Sequence, residues 1–543
     1  MSGEARVEFK DVVQGMFDEI LEWDPPIATF LGIHRYDHLM PDGSRGFIDK
    51  VTRRIKHYRR RLKGFDESDL GKDAVDLRLA RDALDLQLFD MEEWRLWSKY
   101  PSGGDDIGGA LFPLFTRDFA PAQERMRSIS ERIGRSPQFL DELKERLEDP
   151  IKIYCEIGLQ SARMMPGFLG VILTEAQKHL GKDEFDSLMS GAERLEEALK
   201  DYSSWIEGEM KDAGEEFAIG RERLTRRLRL RGVEADIDEI LALGYRYLEE
   251  EKRKLKALAE EISPGKSVEE VNSDLKKHHP KSFEEALERY RDDIRRTRWF
   301  VMEKDFATIP QKEELRVIET PTFLRHIIPF AAYMGPAKFE EKQLGIYIVT
   351  PPSGESLVEH NYYSISNTSI HEGYPGHHLQ LSAANQNPSL VRLLARGTEF
   401  VEGWAHYCEE AMKDLGFNDT PRHRFVQAVD LVWRAARIVI DVQLSSGAMT
   451  FDEAVDFLVE QTGMERDAAI AEVRRYTFTP GQPLSYLLGK HLIKELRREA
   501  EEKLGDDFSA KWFHDLLLSS GSIPVKYHRE ILDQAVHERT PPG

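Results

Sequence analysis

Ten residues constrain this chain more than any others, because they combine three histidines and a glutamate with a proline and a glycine. They are residues 371–380 and read His-Glu-Gly-Tyr-Pro-Gly-His-His-Leu-Gln. A common zinc-binding helix carries H-E-x-x-H, with both histidines on one face and the glutamate as general base. Here His371 and His377 are separated by about 600° of helical rotation, so they can share a metal only if the helix is distorted. Pro375 and Gly376 lie between them and can supply that distortion.

The sequence leaves open which histidine is the second ligand. His378 returns to the face of His371, but about 10.5 Å further along the helix axis. It is therefore the alternative to His377. The competing interpretation of the whole stretch is a helix start with several surface histidines, because H-E-x-x-H-like matches are frequent by chance.

A zinc site needs a third protein ligand and an open position for water. Glu402 lies in a second motif, residues 398–407, and follows His377 by enough residues for the rest of one helix, a turn and an antiparallel return. Two imidazoles and one carboxylate suit zinc. The pair of motifs therefore predicts zinc bound by His371, His377 and Glu402. Glu372 is expected to take a proton from the attacking water and deliver it to the leaving amine; its alternative role is to orient a ligand or cap a helix.

Two residues lie one helical turn from Glu402 on the same face. His406 is interpreted as a group behind the ligands or a bystander, with a fourth ligand as the alternative. Glu399 could orient a zinc histidine through its free ring nitrogen, or could be exposed.

The two motifs together resemble the mainly bacterial domain of unknown function 885 family, whose members are regarded as zinc metallopeptidases similar in layout to helical carboxypeptidases. The resemblance implies a helical, zincin-like body with a deep cleft. It extends to the segments Pro26-Ile27-Ala28-Thr29, Gly32, Tyr36-Asp37, Arg475-Tyr476, Pro480-Gly481-Gln482, Tyr486, Gly489, Phe513-His514-Asp515, Gly521 and Pro524. One departure concerns Ser445, because many members carry histidine four residues after the aspartate that matches Asp441.

The same resemblance suggests how substrate is handled. Amide hydrolysis needs stabilisation of the developing oxyanion, and Tyr476 and Tyr486 are the candidate donors; the alternative is that both are packing tyrosines. Arg475 could pair with the C-terminal carboxylate of a substrate, because arginine binds carboxylates in bidentate fashion. Arg474 competes for that role, and Gln482 is a weaker substrate contact.

The secondary-structure pattern predicts a mainly α-helical chain with a small β element. Residues 314–320 and 345–350 are expected as strands that form a small sheet with residues 330–334, and such an edge could bind an extended peptide. Residues 100–109 are expected as a loop, and residues 217–230 as a helix or an exposed strand. We expect an N-terminal helical region, 1–215, and a zinc-binding catalytic region, 216–543, within one continuous body.

Composition excludes several classes of protein. The formal net charge of −21 over 543 residues argues against sequence-independent binding of nucleic acid. Two cysteines, Cys155 and Cys408, make no disulfide framework and are expected to be reduced. The acidic N-terminal residues lack an apolar run and nothing predicts a membrane segment, so a cytoplasmic location is expected, although some members of the family look like exported lipoproteins.

These observations predict a zinc-dependent peptidase that acts on short peptides or chain ends, in the manner of a carboxypeptidase or dipeptidase. Two alternatives stay open. One is a zinc amidase acting on a non-peptide amide. The other is a helical protein that retains metal without turnover, which the serine at position 445 keeps open.

Overall fold

The computed structural model describes residues 2–320, 325, 330–352 and 357–539. The chain divides into two compact units, one formed by Met1–Phe217 with Ala337–Glu341 and the other by Ala218–Pro336 with Lys342–Gly543. The expectation of one continuous body, with regions 1–215 and 216–543, stays a prediction.

The first unit is helical in its described part. Its helices are α1 (Ser2–Trp23), α2 (Pro25–Leu31), α3 (Arg45–Lys63), α4 (Glu67–Leu70), α5 (Ala74–Phe89), α6 (Gly103–Thr116), α7 (Ala122–Arg146), α8 (Lys152–Ala176) and α9 (Lys182–Glu209). The N-terminal motif has a structural role here. The Thr29 hydroxyl donates to Asp37 Oδ1 at 2.6 Å and accepts from Arg132 Nη2 at 2.8 Å, and all three residues are buried.

The loop expected at residues 100–109 is wrong from Gly103 onward, where α6 begins. Asp105 and Asp106 lie in its first turn, where negative charge is favourable beside the free N–H groups of a helix start. Residues 103–109 are therefore the start of a helix rather than part of a loop.

The second unit holds the remaining helices and the sheet. Its described elements are α10 (Arg221–Leu230), α11 (Ile237–Ile262), α12 (Val268–Lys276), α13 (Phe283–Glu303), β1 (Glu313–Glu319), β2 (Ala331–Met334), β3 (Gln343–Val349), α14 (Tyr362–Glu372), α15 (His377–Ala384), α16 (Leu390–Leu394), α17 (Thr398–Asp414), α18 (Pro421–Ser446), α19 (Phe451–Thr462), α20 (Arg466–Thr477), α21 (Ser485–Leu504), α22 (Ala510–Ser519) and α23 (Val525–Arg539).

The small sheet has the order β1-β3-β2, with β1 parallel and β2 antiparallel to β3. The expected strands are confirmed with ends shifted by one or two residues. Tyr347 is at the centre, aligned with Val317 on one side and Tyr333 on the other, and is fully buried. Residues 221–230 are helical, so the helix interpretation of that segment is confirmed.

Close contact between α17 and α21 shapes the part of the unit that carries the second motif. A Cβ atom on Gly403 would lie 2.3 Å from the backbone carbon of Gly489, so only glycine permits this approach. Phe400 and Trp404 on α17 are fully buried in the core of the unit. The mainly helical fold with a small β element is confirmed; the deep cleft and the zincin-like label stay predictions.

Among the residues described above, none of the helices combines the length and the apolar character needed to span a bilayer.

Candidate metal centre

The motif at residues 371–380 forms two helices rather than one distorted helix. The first, α14, ends at Glu372, and α15 begins at His377. Gly376 makes the break possible, because a Cβ atom there would lie 2.0 Å from the carbonyl oxygen of His371. Its N–H donates to the carbonyl of Ile370 at 3.1 Å. The expected distortion is therefore a complete interruption.

The connecting residues are held against α17. The carbonyl of Pro375 accepts a hydrogen bond from Trp404 Nε1 at 2.8 Å and lies 3.7 Å from Cys408 Sγ. Both donors are on the helix that carries Glu402. Trp404, which is fully buried, thus also fixes the position of His377 relative to Glu402.

His371, His377 and Glu402 come together as expected. Glu402 Oε2 lies 3.9 Å from His371 Nε2 and 3.5 Å from His377 Nε2. These separations are longer than good hydrogen bonds. They match the spacing of about 3.4 Å between ligand atoms in a tetrahedral zinc site with bonds of about 2.1 Å. His377 Nδ1 is buried and has no hydrogen-bond partner within the described residues. The three donors fit a zinc ion.

The three side chains also form a cluster of opposite charges. Burial raises the pKa of Glu402, but the nearby imidazole of His377 and the charge of His371 outweigh it and lower that pKa to about 2. Burial lowers the pKa of His371, whereas Glu409 and Glu372 raise it to about 9. Because metal binding displaces protons from such ligands, the cluster can exchange its protons for a cation.

His378 faces a different part of the unit. Its Nε2 lies 2.7 Å from Glu313 Oε2 on β1, and its Nδ1 lies 2.9 Å from the Tyr333 hydroxyl on β2. The side chain is fully buried. Both ring nitrogens are engaged, so the geometry selects His377 as the partner of His371 and Glu402.

A second set of three donors, His371, His406 and Glu409, also lies within 4.8 Å. His371 Nδ1 is only 2.7 Å from Glu409 Oε1, and His406 Nδ1 is 3.2 Å from the same oxygen. The shorter distance is that of a charge-assisted hydrogen bond rather than of two ligands on one ion. Glu409 therefore orients His371.

Glu409 is not among the residues expected from the sequence, which offered Glu399 for this role. Glu399 is instead buried and pairs with Arg231 Nη2 at 2.8 Å. It is neither exposed nor bonded to a zinc histidine, so both interpretations of it are wrong. The usable signal was spacing, because Glu409 lies two helical turns beyond Glu402 and hence on the same face of α17.

Glu372 is the last residue of α14 and is half-buried. Its carboxylate acts on His371, whose pKa it raises. Within the described residues it makes no hydrogen bond and no ion pair. A carboxylate beside the three donors is thus left free to accept a proton.

The two candidate tyrosines differ in where their hydroxyl protons go. The buried Tyr476 hydroxyl donates to Glu472 Oε2 at 2.7 Å and accepts from Arg437 Nε at 2.8 Å. Tyr476 is therefore a packing tyrosine, and its expected oxyanion role is not supported. The Tyr486 hydroxyl accepts from Gln482 Nε2 at 3.2 Å, which leaves its own proton without an acceptor in the described part of the chain.

Tyr486 also lies near the three donors. Its ring centre lies 5.8 Å from that of His406, whose ring centre lies 4.8 Å from that of His371. Burial and then the negative charge of Glu402 raise the pKa of Tyr486. Its hydroxyl therefore stays protonated in a position close to Glu402.

Arg475 and Gln482 belong to the same network as Tyr486. Arg475 donates from Nη1 to Gln482 Oε1 and from Nη2 to Glu472 Oε2, each at 3.0 Å. The Arg475 side chain is still 34% exposed. The predicted substrate contacts are thus adjacent to Tyr486, with Arg475 partly paired.

Comparison with known proteins gives the family. The sequence model of the family described as "bacterial protein of unknown function (DUF885)" matches residues 25–532. The chain belongs to this family. No curated protein shows a significant match to it.

Two solved structures share the fold of this DUF885 protein. A candidate lipoprotein of unknown function from Shewanella oneidensis has a TM-score of 0.80 and 23% identity, over 96% of this chain and 99% of that one. A candidate lipoprotein from Colwellia psychrerythraea has a TM-score of 0.85 and 18% identity, over 98% and 99%. At these identities the likeness shows the fold. The description of both as lipoproteins overturns the cytoplasmic location expected from the sequence.

Ser445, the residue at which the chain departs from the expected DUF885 pattern, has a local partner. Its hydroxyl donates to Asp441 Oδ1 at 3.0 Å, and Asp441 also accepts from the backbone N–H groups of Gly481 and Leu484 at 2.9 and 3.0 Å. Burial raises the pKa of Asp441 to about 6. These two residues hold the turn that precedes Tyr486.

Proposed function

We propose that this DUF885 protein is a zinc-dependent hydrolase that cleaves amide bonds in short peptides or at chain ends. The observation that carries the proposal is the meeting of His371 Nε2, His377 Nε2 and Glu402 Oε2, at separations suited to one ion and too long for good hydrogen bonds. The unbonded carboxylate of Glu372 beside them supports catalysis rather than metal storage.

Each residue then has a chemical role. Zinc, when bound, supplies a Lewis acid that polarises a carbonyl and makes water a better nucleophile. Glu372 accepts the proton of the attacking water at a carboxylate oxygen and returns it to the leaving nitrogen. Tyr486 donates its free hydroxyl proton to the developing oxyanion, a contribution that is strong where water is excluded.

The shared ion pair beside Tyr486 supports a carboxylate-bearing substrate. Arg437 and Arg475 share the single carboxylate of Glu472. Among the described residues neither guanidinium has another ion-pair partner, and Arg475 is partly exposed. Because a guanidinium binds a carboxylate through two parallel hydrogen bonds, a free peptide C-terminus is the expected partner.

The test is a set of short peptides, each with a free or an amidated C-terminus, incubated with zinc-loaded protein and analysed by mass spectrometry. We expect cleavage near the free carboxylate and slower cleavage of the amides. Glu372→Gln should lower turnover by about 10²–10⁴-fold because it removes the general base, while zinc content stays unchanged. The control Glu359→Gln removes a glutamate that is paired with Lys276 in an exposed position.

Three results would contradict the proposal in different ways. Equal turnover in Glu372→Gln and the wild type would remove the proposed base. Cleavage of a non-peptide amide alone would favour the amidase. Bound zinc without turnover of any substrate would favour a metal-retaining protein.

A further inference from the structure

Behind His371 lies a buried polar network, built from three pairs of residues with the same spacing. In each pair the two residues are four apart on one helix and so lie on one face. The pairs are Asn367 and His371 on α14, Glu409 and Lys413 on α17, and Asp430 and Arg434 on α18.

Glu409 is the centre of this network. Its Oε1 lies 2.7 Å from His371 Nδ1, and its Oε2 accepts from Asn367 Nδ2 at 2.8 Å. Glu409 is 2% exposed. A histidine that donates to a carboxylate through Nδ1 keeps its proton there, which leaves the Nε2 lone pair for a metal. Nε2 is the atom of His371 that faces Glu402.

The side-chain amide of Asn367 is itself held in one orientation. Its Nδ2 donates to Glu409 and to Asp430 Oδ2, the latter at 3.0 Å, and its Oδ1 accepts from Lys413 Nζ at 2.8 Å. A flipped amide would point its oxygen at two carboxylates and its NH₂ group at an ammonium. Every polar atom of the Asn367 side chain is therefore committed.

The charges of the network cancel. Lys413 donates to the Glu409 carbonyl at 3.1 Å, and Arg434 donates to Asp430 Oδ1 at 3.3 Å, so two cations accompany two carboxylates. Burying such groups costs desolvation energy that an apolar core would avoid. Since the formal charges of these four groups cancel, the evident product of the network is a fixed orientation of Glu409 and His371.

We propose that Glu409, supported by Asn367 and Lys413, is a positioning residue that fixes His371 as a metal ligand through Nε2. The inference rests on the proposed function, because it assumes that His371 binds zinc. It extends that function by assigning the outer partner of the ligand to α17, on the helix that also supplies Glu402.

The test is zinc affinity, measured by competition with a chromogenic chelator for the wild type, Glu409→Gln and Glu410→Gln. We expect Glu409→Gln to bind zinc about 10–100-fold more weakly, the usual cost of losing such an outer partner. Glu410 is the matched control, because it is the next residue on α17 and pairs with Lys490 and Lys494 instead. Its variant should keep the wild-type affinity.

Metal-free stability, measured in parallel, separates positioning from a merely structural role. A structural role would lower the stability of the metal-free Glu409→Gln protein and leave its zinc affinity intact, which would overturn the inference. If the single variant does not fold, Glu409→Gln with Lys413→Met removes both buried charges and should show the same loss of affinity. A wild-type protein that binds no zinc would overturn the proposed function and this inference with it, whereas equal affinity in wild type and Glu409→Gln would overturn the inference alone.

Discussion

Replacing Glu402 with glutamine tests whether the three donor atoms form one metal centre. The change keeps the size of the side chain and removes the charge that faces His371 and His377. In the metal-free protein these imidazoles stabilise the ionised carboxylate. In the zinc-bound protein the same oxygen is one of three protein ligands. The substitution should therefore lower the stability of both the metal-free and the zinc-bound protein.

The magnitude in the metal-free state follows from the pKa of Glu402, which falls from its ordinary 4.5 to about 2 despite burial. A shift of this size corresponds to about 3 kcal/mol at about 1.4 kcal/mol per pKa unit. Since the folded pKa is the lower one, this stability is present above pH 4.5 and is lost as the pH falls toward 2. Glutamine resembles the protonated carboxyl, so the variant should lose up to about 3 kcal/mol at neutral pH.

Zinc binding adds a second, independent difference in stability between the wild type and Glu402→Gln. An ion present at a hundred times its dissociation constant stabilises the wild type by about 2.7 kcal/mol. Without the Glu402 ligand that increment should disappear. The assay is urea unfolding with and without zinc, together with zinc content measured by mass spectrometry.

Glu399→Gln is the matched control for this experiment. Glu399 is also a buried, ion-paired glutamate of α17, one turn before Glu402, but its partner is Arg231. The control should lose stability and keep both its zinc and the zinc-dependent increment. Near-stoichiometric zinc in Glu402→Gln, with an undiminished increment, would refute the assignment of Glu402 as a ligand.

Two further predictions concern histidines outside the three donors. His378→Gln should keep its zinc and lose about 1–3 kcal/mol of stability, because it removes the buried imidazole that contacts the Glu313 carboxylate and the Tyr333 hydroxyl. Loss of zinc in this variant would return His378 to the ligand set. His514 donates from Nδ1 to the carbonyl of Phe306, and burial lowers the pKa of its ring to about 4. The unfolded chain then binds the proton more readily, so about 3 kcal/mol of stability should be lost between pH 6.5 and 4. The free energy of unfolding should therefore depend less on pH over this range in His514→Asn than in the wild type. An equal dependence in the two proteins would contradict the prediction.

Much of the fold and the donor set could be predicted because the signals are local. Proline and glycine between His371 and His377 predict a break wherever the rest of the chain lies. The apolar runs of β1 and β3 predict strands by composition alone. Glu402 is placed by chain length between two helices, which is a loop-length argument and needs no tertiary information.

The choice between His377 and His378 could not be made in this way, because the two residues are adjacent and chemically identical. What separates them are partners 65 and 45 residues earlier, Glu313 and Tyr333, which engage both nitrogens of His378. Glu399 and Glu409 pose the same problem. Arg231, far away in sequence, pairs with Glu399 and leaves only Glu409 to meet His371.

One physical criterion accounts for these choices. His378, Tyr476 and Asn367 have every polar side-chain atom engaged, as buried groups normally do, and they support structure. Glu372 and Tyr486 keep a carboxylate or a hydroxyl proton without a partner in the described part of the chain. A carboxylate or hydroxyl that keeps free hydrogen-bonding capacity beside a cluster of metal-binding side chains can act on a bound substrate. That capacity is the physical reason to look for the function of this protein at Glu372 and Tyr486, and not at the fully bonded residues around them.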